Sequence, residues 1–296
     1  MKLLVIGHLV EDRIHLHNEV INRPGGLFYT LTALKNYKRA DDQLFVCTNI
    51  PSSPDNLFSG LFEGLNTEFV SRSERIPCVD LFIEPGTERK EKYDYIGSSI
   101  KLTSVNFSDF DAILINMITG ADIKLEDLKY IRNNFYGLIY FDVHTLSRGI
   151  GEDLGREFRV IPDFEEWAEN IDILQANEIE IKMLGTTQNI ELIINQMFDS
   201  GIRLIVLTKG KTGARVYYKG DDKEMKSVFL SANKVNVKNT IGCGDVFGAV
   251  FFYDYIVKGN ILYALKNSTA AAGLTASSGS LKQFSELNRN AIQRSD

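Results

Sequence analysis

Short runs of β-branched and aliphatic residues recur along the chain: KLLVIG (2–7), LFVCTNI (44–50), AILINM (112–117), GLIYFDV (137–143), DILQAN (172–177) and IRLIVLT (202–208). Near-continuous apolar runs of this length are what strands look like when both faces of a sheet are covered, so they predict a parallel sheet. Between them stand the amphipathic stretches FYTLTALKNY (28–37), KLEDLKYIRNNF (124–135) and NIELIINQMFDSG (189–201). Strands alternating with helices make βαβ units, and the expected fold class is α/β. Two pieces break the rhythm. CVDLFIEPGTERKEKYDYIG (78–97) carries a Pro85-Gly86 turn signal between strand-like segments with no helix, and EDRIHLHNEVINRPGG (11–26) also reads as strands and turns. They are either surface hairpins or a small β flap that closes over a substrate beside the sheet. No internal repeat, low-complexity segment or linker divides the chain. A single domain over 1–296 is expected, with lid excursions at about 11–24 and 78–97.

Composition narrows what such a fold would serve. The chain has 296 residues, 44% of them hydrophobic, enough for a large core. Thirty-three basic residues against 39 acidic ones give a net charge of −6, and no Lys/Arg cluster offers a track for a polyanion. Nucleic acid is not an expected partner. The opening MKLLVIG is only a strand's length of apolar residues, and no run approaches the ~18 apolar residues that span a bilayer. Cys47, Cys78 and Cys243 are scattered without a CxxC pair, which fits a reducing compartment. A soluble cytoplasmic protein with no membrane partner is expected.

Candidate chemistry concentrates in NTIGCGDVFGAVFFYDYI (239–256), where two glycines flank a cysteine, an aspartate follows, and the chain then turns apolar. The apolar run reads as a buried helix. At its start, Gly242 and Gly244 would let consecutive amides face one point, and the helix dipole adds partial positive charge there. Such a nest suits an anion whose charge grows during reaction. Asp245, in the first turn, could take a proton from a hydroxyl attacking a phosphoryl group held over the nest. Equally, a lone Gly-x-Gly-Asp is an ordinary turn with an acidic helix cap.

This arrangement resembles the phosphofructokinase B family of ribokinase-like carbohydrate kinases, whose C-terminal signature reads D-T-x-G-A/C-G-D. Here it is Asn239-Thr240-Ile241-Gly242-Cys243-Gly244-Asp245, matching except at its first position. Other landmarks follow in order over nearly the whole chain. Gly7 to Asp12 is similar to the first strand's G-x4-D, whose Asp binds a sugar hydroxyl, and Gly25-Gly26 resembles the diglycine where backbone approaches the substrate. Asn177 to Glu180 matches N-x-x-E, associated with metal and phosphates. LTKGKTGA (207–214) is similar to the T-x-G-x-x-G along the nucleotide, with Thr208, Gly210 and Gly213. NSTAAAGLTASSG (267–279), headed by Asn267, resembles the Ala-rich helix bordering the adenine pocket. The resemblance implies a ribokinase-like fold and transfer of the γ-phosphate of ATP to a hydroxyl of a small sugar or polyol. Asp245 would be the base, the Gly242, Cys243 and Gly244 amides the anion hole, and Mg2+ a largely water-coordinated bridge reached by Glu180 through water.

Competing motifs fall away. The GKT at 210–212 lacks the glycine five positions earlier that a P-loop requires, since Ile205 stands there. No GxGxxG follows the first strand, so a nicotinamide-dependent oxidoreductase has no fingerprint. His8, His15, His17 and His144 lack zinc-site spacing, although His15 and His17 would share one strand face. Cys243 has no base partner in the sequence and fills a small-residue slot. Departures from the family pattern matter too. Asn239 replaces an Asp linked to a monovalent cation and keeps an oxygen without the charge, which bears on activation by K+. Thr30 stands where the family usually has Asn after the diglycine, preceded by Phe28 and Tyr29, which could stack on a ring or face the core. Twelve residues between Asp12 and Gly25 leave room only for a reduced lid, which suggests a monomer or a different homodimer. DVHTLSR (142–148) is similar to the D-V-Q-x-x-x-R of a compact subgroup with inositol and nucleoside kinases, with Asp142 and Arg148 in place and His144 where Gln is usual. The acceptor is thus open between sugar, cyclitol and nucleoside, and a non-catalytic sugar- or nucleotide-binding relative is the alternative.

Overall fold

The computed structural model describes residues 1–16, 19–52, 57–82 and 90–294. His17 and the Pro85-Gly86 turn signal lie outside them. The first half runs β1 (Lys2–Ile6), β2 (Leu9–Leu16), β3 (Glu19–Gly26), α1 (Leu27–Tyr37), β4 (Gln43–Pro51), β5 (Asn66–Ser73), β6 (Cys78–Phe82), β7 (Lys90–Tyr95), β8 (Ala112–Asn116), α2 (Leu125–Asn134) and β9 (Leu138–Asp142). The second runs β10 (Arg148–Ile150), β11 (Arg156–Phe158), α3 (Phe164–Ala168), β12 (Ile173–Asn177), α4 (Ile190–Asp199), β13 (Leu204–Thr208), β14 (Ala214–Lys219) and β15 (Met225–Leu230). Helices α5 (Cys243–Lys258), α6 (Ile261–Ser277), α7 (Leu281–Ser285) and α8 (Arg289–Gln293) close the chain.

The central sheet has the order β15-β14-β13-β12-β9-β8-β1-β4-β5. Its strands from β13 to β5 pair in parallel, as the apolar runs predict. Among the described strands of this sheet only the β13-β14-β15 edge is antiparallel, because the short Lys209–Gly213 and Gly220–Glu224 connections cannot carry the chain back for a parallel crossover. Alternation along each strand divides the core into two layers. Leu3, Val5, Leu114 and Val206 face α1, α5 and α6, whereas Leu4, Ile6, Ile115 and Ile205 face α2, α3 and α4. Helix α4 shows how local sequence meets this demand. Asn189 caps it by accepting from the Glu191 and Leu192 amides, and Ile193, Ile194, Met197 and Phe198 form its buried stripe. Helix α5 is instead buried nearly all round from Val246 to Asp254, packed between α1 and α6.

The two strand-rich interruptions do not form separate hairpins. They join in one four-stranded sheet, β3-β2-β6-β7, through parallel pairing of β2 with β6. Its Val10, Val79, Leu81 and Tyr93 pack into the α1/α5 layer of the core. A further hairpin, β10-β11, follows β9 and braces β7: the Tyr93 amide donates to the Leu154 carbonyl at 3.0 Å, and Lys92 bridges Gly155. Among the described residues no helix is long and apolar enough to cross a membrane.

Candidate active site

Parallel sheets collect ligands at the carboxyl ends of their strands, and the polar residues here follow that rule. Asn116 ends β8, Asp142 ends β9, Asn177 ends β12 and Thr208 ends β13. Helix α5 starts above this rim. Gly242 is its cap in a left-handed conformation, φ +80°, and a Cβ there would fall 2.2 Å from the Tyr29 ring, so no other residue fits. The Cys243 amide leans on the Thr240 carbonyl at 3.4 Å, and the Val246 amide bonds Gly242 at 2.9 Å. That leaves the Gly244 and Asp245 amides as first-turn donors that the helix itself does not satisfy. Asp245 is nine-tenths buried, and its Oδ1 accepts a hydrogen bond of 2.7 Å from Asn116 Nδ2.

Two cavities meet at this turn. The smaller, about 130 Å3, is lined by Asp12, Gly26, Gly242, Gly244 and Asp245, and on its other side by residues of the four-stranded sheet such as Glu91. The larger, about 490 Å3, has Thr208, Gly210 and Gly213 on one wall and Val235, Phe247 and Ala272 on another. Thr240 and Gly244 line both. Gly25 serves the smaller cavity indirectly, because a Cβ on it would overlap the Asp12 carboxylate.

Several expected residues sit elsewhere. Thr30 is buried at 1% exposure behind the site, its hydroxyl accepting from Asn116 at 3.3 Å, and it lines neither cavity. It supports the residue that holds Asp245. Arg148 also stands behind the wall, 3.5 Å from Glu91, with its guanidinium 4.4 Å over the Phe158 ring. Asn267 points away from the larger cavity and donates to Asp254 on α5 at 2.6 Å; the next turns of α6 supply the wall through Thr269, Ala272, Gly273 and Ala276. Asn177 and Glu180 form a reciprocal cap: Asn177 Oδ1 accepts from the Glu180 amide at 2.8 Å and Glu180 Oε2 from the Asn177 amide at 2.8 Å. Asn239 caps its own turn, accepting from the Ile241 amide at 3.0 Å. Cys243 borders the larger cavity, and burial pushes its thiol up to about 12, which leaves it unreactive.

Buried carboxylates give the site its electrostatic character. Burial, then the neighbouring Glu180 and Asp245, push Asp142 well above the usual carboxylate range, against the Gln175 and His144 donors that favour its charge. Burial likewise raises Glu180, with His144 and Arg148 opposing. Gln175 ties this cluster to the helix, its amide donating to Asp142 at 2.7 Å and to the Gly244 carbonyl at 3.2 Å, while Tyr140 donates to its oxygen at 2.5 Å. Neither Gln175 nor Asn116 belongs to any of the motifs legible in the sequence. Each is a polar residue inside an apolar strand run, near its carboxyl end, which is the signal that could have marked them.

Residues 152–286 match the pfkB family carbohydrate kinase profile. The chain is 29% identical over 251 residues to a deoxyribokinase of Salmonella typhi, covering 75% of this chain and 73% of that one. It is 27% identical over 137 residues to a 5-dehydro-2-deoxygluconokinase of Geobacillus kaustophilus, covering 42% of this chain and 40% of that one. Among solved structures, ribokinase of Thermotoga maritima superposes with a TM-score of 0.75 at 20% identity, over 99% and 98% of the two chains. A pyrophosphate-dependent kinase of the ribokinase family, complexed with a pyrophosphate analog and myo-inositol, gives 0.77 at 16% identity over 99% of each. Residues 152–286 thus match a pfkB family carbohydrate kinase domain, the chain has a ribokinase-like fold, and the family match with the kinase relatives supports a phosphotransferase with a hydroxyl as acceptor.

Proposed function

We propose that the larger cavity takes ATP, the smaller one a single-ring sugar or polyol, and that the γ-phosphate crosses between them over the first turn of α5. The observation that carries this reading is the shared rim: Thr240 and Gly244 line both cavities, and Asp245 borders only the smaller one. Asp245 accepts the proton of the attacking hydroxyl, and the Gly244 and Asp245 amides stabilise charge developing on the transferred group. The apolar face of Val235, Val237, Phe247 and Ala272 supports a nucleotide base as the donor's anchor, which pyrophosphate lacks. A cavity of about 130 Å3 supports a monocyclic acceptor, sugar or cyclitol, over a nucleoside.

Mg2+ fits the chemistry of this rim, since hard oxygen donors predominate and burial already strains Asp142 and Glu180. Among the described residues no three His, Cys, Asp or Glu side chains form a direct ligand set; Glu180, which lines neither cavity, would reach the ion only through water. The ion would neutralise phosphate charge. A monovalent cation at Asn239 has less support, because its neutral amide oxygen is already engaged by Ile241.

The test is donor consumption with Mg2+ over pentoses, deoxypentoses, hexoses, inositols and nucleosides, with ATP and with pyrophosphate, using Asp245→Asn as the blank. Asp245→Asn is expected to lower kcat by about 10² to 10⁴-fold with ATP affinity retained. Wild-type turnover in that variant, on an acceptor the native chain phosphorylates, would overturn Asp245 as the base.

A further inference from the structure

The smaller cavity is acidic on two sides. Asp12 faces it from β2, and Glu91 faces it from the lid strand β7. Between them the wall is apolar, with Val10, Val79, Leu81 and Ile118. Glu91 is 8% exposed, so its carboxylate serves the cavity and not bulk water. Directly behind it, Arg148 Nη1 lies 3.5 Å from Glu91 Oε1. Arg148 is held there by the β10-β11 hairpin, through the Phe158 ring 4.4 Å beneath its guanidinium, and it does not line the cavity. The hairpin secures the lid strand as well, with the Arg156 guanidinium 4.5 Å over the Tyr93 ring.

We propose that Glu91 is a specificity-determining residue that accepts a hydroxyl of the acceptor and keeps the Arg148 charge out of the cavity, so that the enzyme takes neutral sugars or polyols and refuses anionic ones. This rests on the kinase reading above. A neutral polyol presents hydroxyl donors to Asp12 and Glu91 and a C–H face to the apolar wall. A sugar phosphate or sugar acid would instead bring a like charge beside Asp12, Glu91 and Asp245 in a site shielded from water, where such repulsion is strong. The Arg148 guanidinium is paired on the far side of Glu91, and among the residues lining the cavity only His144 carries a basic side chain. The lid therefore supplies acceptor selection, and the hairpin sets its sign.

The test compares Glu91→Gln with the native chain on matched pairs of neutral and anionic acceptors, each sugar against its aldonate and its phosphate ester. Binding by calorimetry is measured beside kcat/KM. Glu91→Gln keeps the shape and one acceptor oxygen for the hydroxyl but no longer holds Arg148 by charge. The ratio of anionic to neutral acceptor is expected to rise about tenfold or more, chiefly through KM. Glu91→Asp retains the charge and keeps the native ratio, and Glu91→Gln with Arg148→Met loses the gain. A native chain that favours an anionic acceptor, or a folded Glu91→Gln variant with an unchanged ratio, overturns the proposal. A native chain that binds neutral acceptors selectively yet transfers no phosphate would sink the kinase reading and leave the selectivity standing.

Discussion

Asn116 and Asp245 stand 129 positions apart in the chain and share a 2.7 Å hydrogen bond. Because a carboxylate only accepts, the amide nitrogen of Asn116 must face it, and the same nitrogen reaches Thr30 at 3.3 Å. The oxygen of Asn116 is buried without a hydrogen-bond partner, a cost the site bears to hold Asp245 in one rotamer. Asn116→Leu keeps the volume and removes the donor. It is expected to lower the rate of phosphoryl transfer in a single turnover by about ten- to a hundredfold, the worth of one hydrogen bond to a charged group, with donor KM unchanged. An unaltered single-turnover rate would show that Asp245 needs no such support. The glycine-aspartate motif was legible in the sequence because its residue types and spacing are local. Its amide partner was not, because nothing in AILINM says which strand end will lie beneath helix α5.

At the scale of elements, the four-stranded sheet is rooted by a buried His8–Asp122 pair. His8, between β1 and β2, has Nε2 3.0 Å from the Ser98 carbonyl beyond β7 and Nδ1 3.0 Å from Asp122 Oδ1. Acceptors on both nitrogens favour the doubly protonated ring. Burial works against that charge, and the attraction and hydrogen bond of Asp122 outweigh it, raising His8 above its ordinary 6.5. Burial also opposes the charge on Asp122, and His8 with the Thr119 amide holds it below its ordinary 3.8. His8 therefore contributes stability fully below pH 6.5 and loses it as pH rises through the folded-state value; Asp122 contributes above 3.8 and loses it as pH falls through its own. Denaturant unfolding across pH is expected to show the native chain weakening on the alkaline side of 6.5, with His8→Gln flatter over that window; parallel curves would refute the ion pair. Both strand-rich interruptions are legible in the sequence. Their union is not, because the β2–β6 pairing spans more than sixty residues and long-range registers leave no local mark. The β10-β11 hairpin, built from three-residue strands, gave no periodic signal at all.

For the whole molecule, the arrangement of two cavities about one helix start explains why small changes in lining would alter donor and acceptor separately. Ala272 on α6 lines only the larger cavity. Ala272→Phe, which fills the base slot, is expected to raise KM for ATP about tenfold or more while leaving acceptor KM and any use of pyrophosphate unchanged; equal losses on both substrates would mean that the slot does not bind a base. The sequence by itself determined the α/β class, the parallel strands, the buried helix after Gly242 and the order of the kinase landmarks, because hydrophobic period and turn chemistry are written in neighbouring residues. Only the tertiary structure decided which of those landmarks share a cavity. Arg148 and Asn267 match their motifs and Thr30 stands at a motif position with a different residue, yet all three side chains leave the walls, for Glu91, Asp254 and Asn116 respectively. A side chain's direction is set by what packs against it from distant segments, and that packing exists only once the sheet, the lid and the helices have closed on one another.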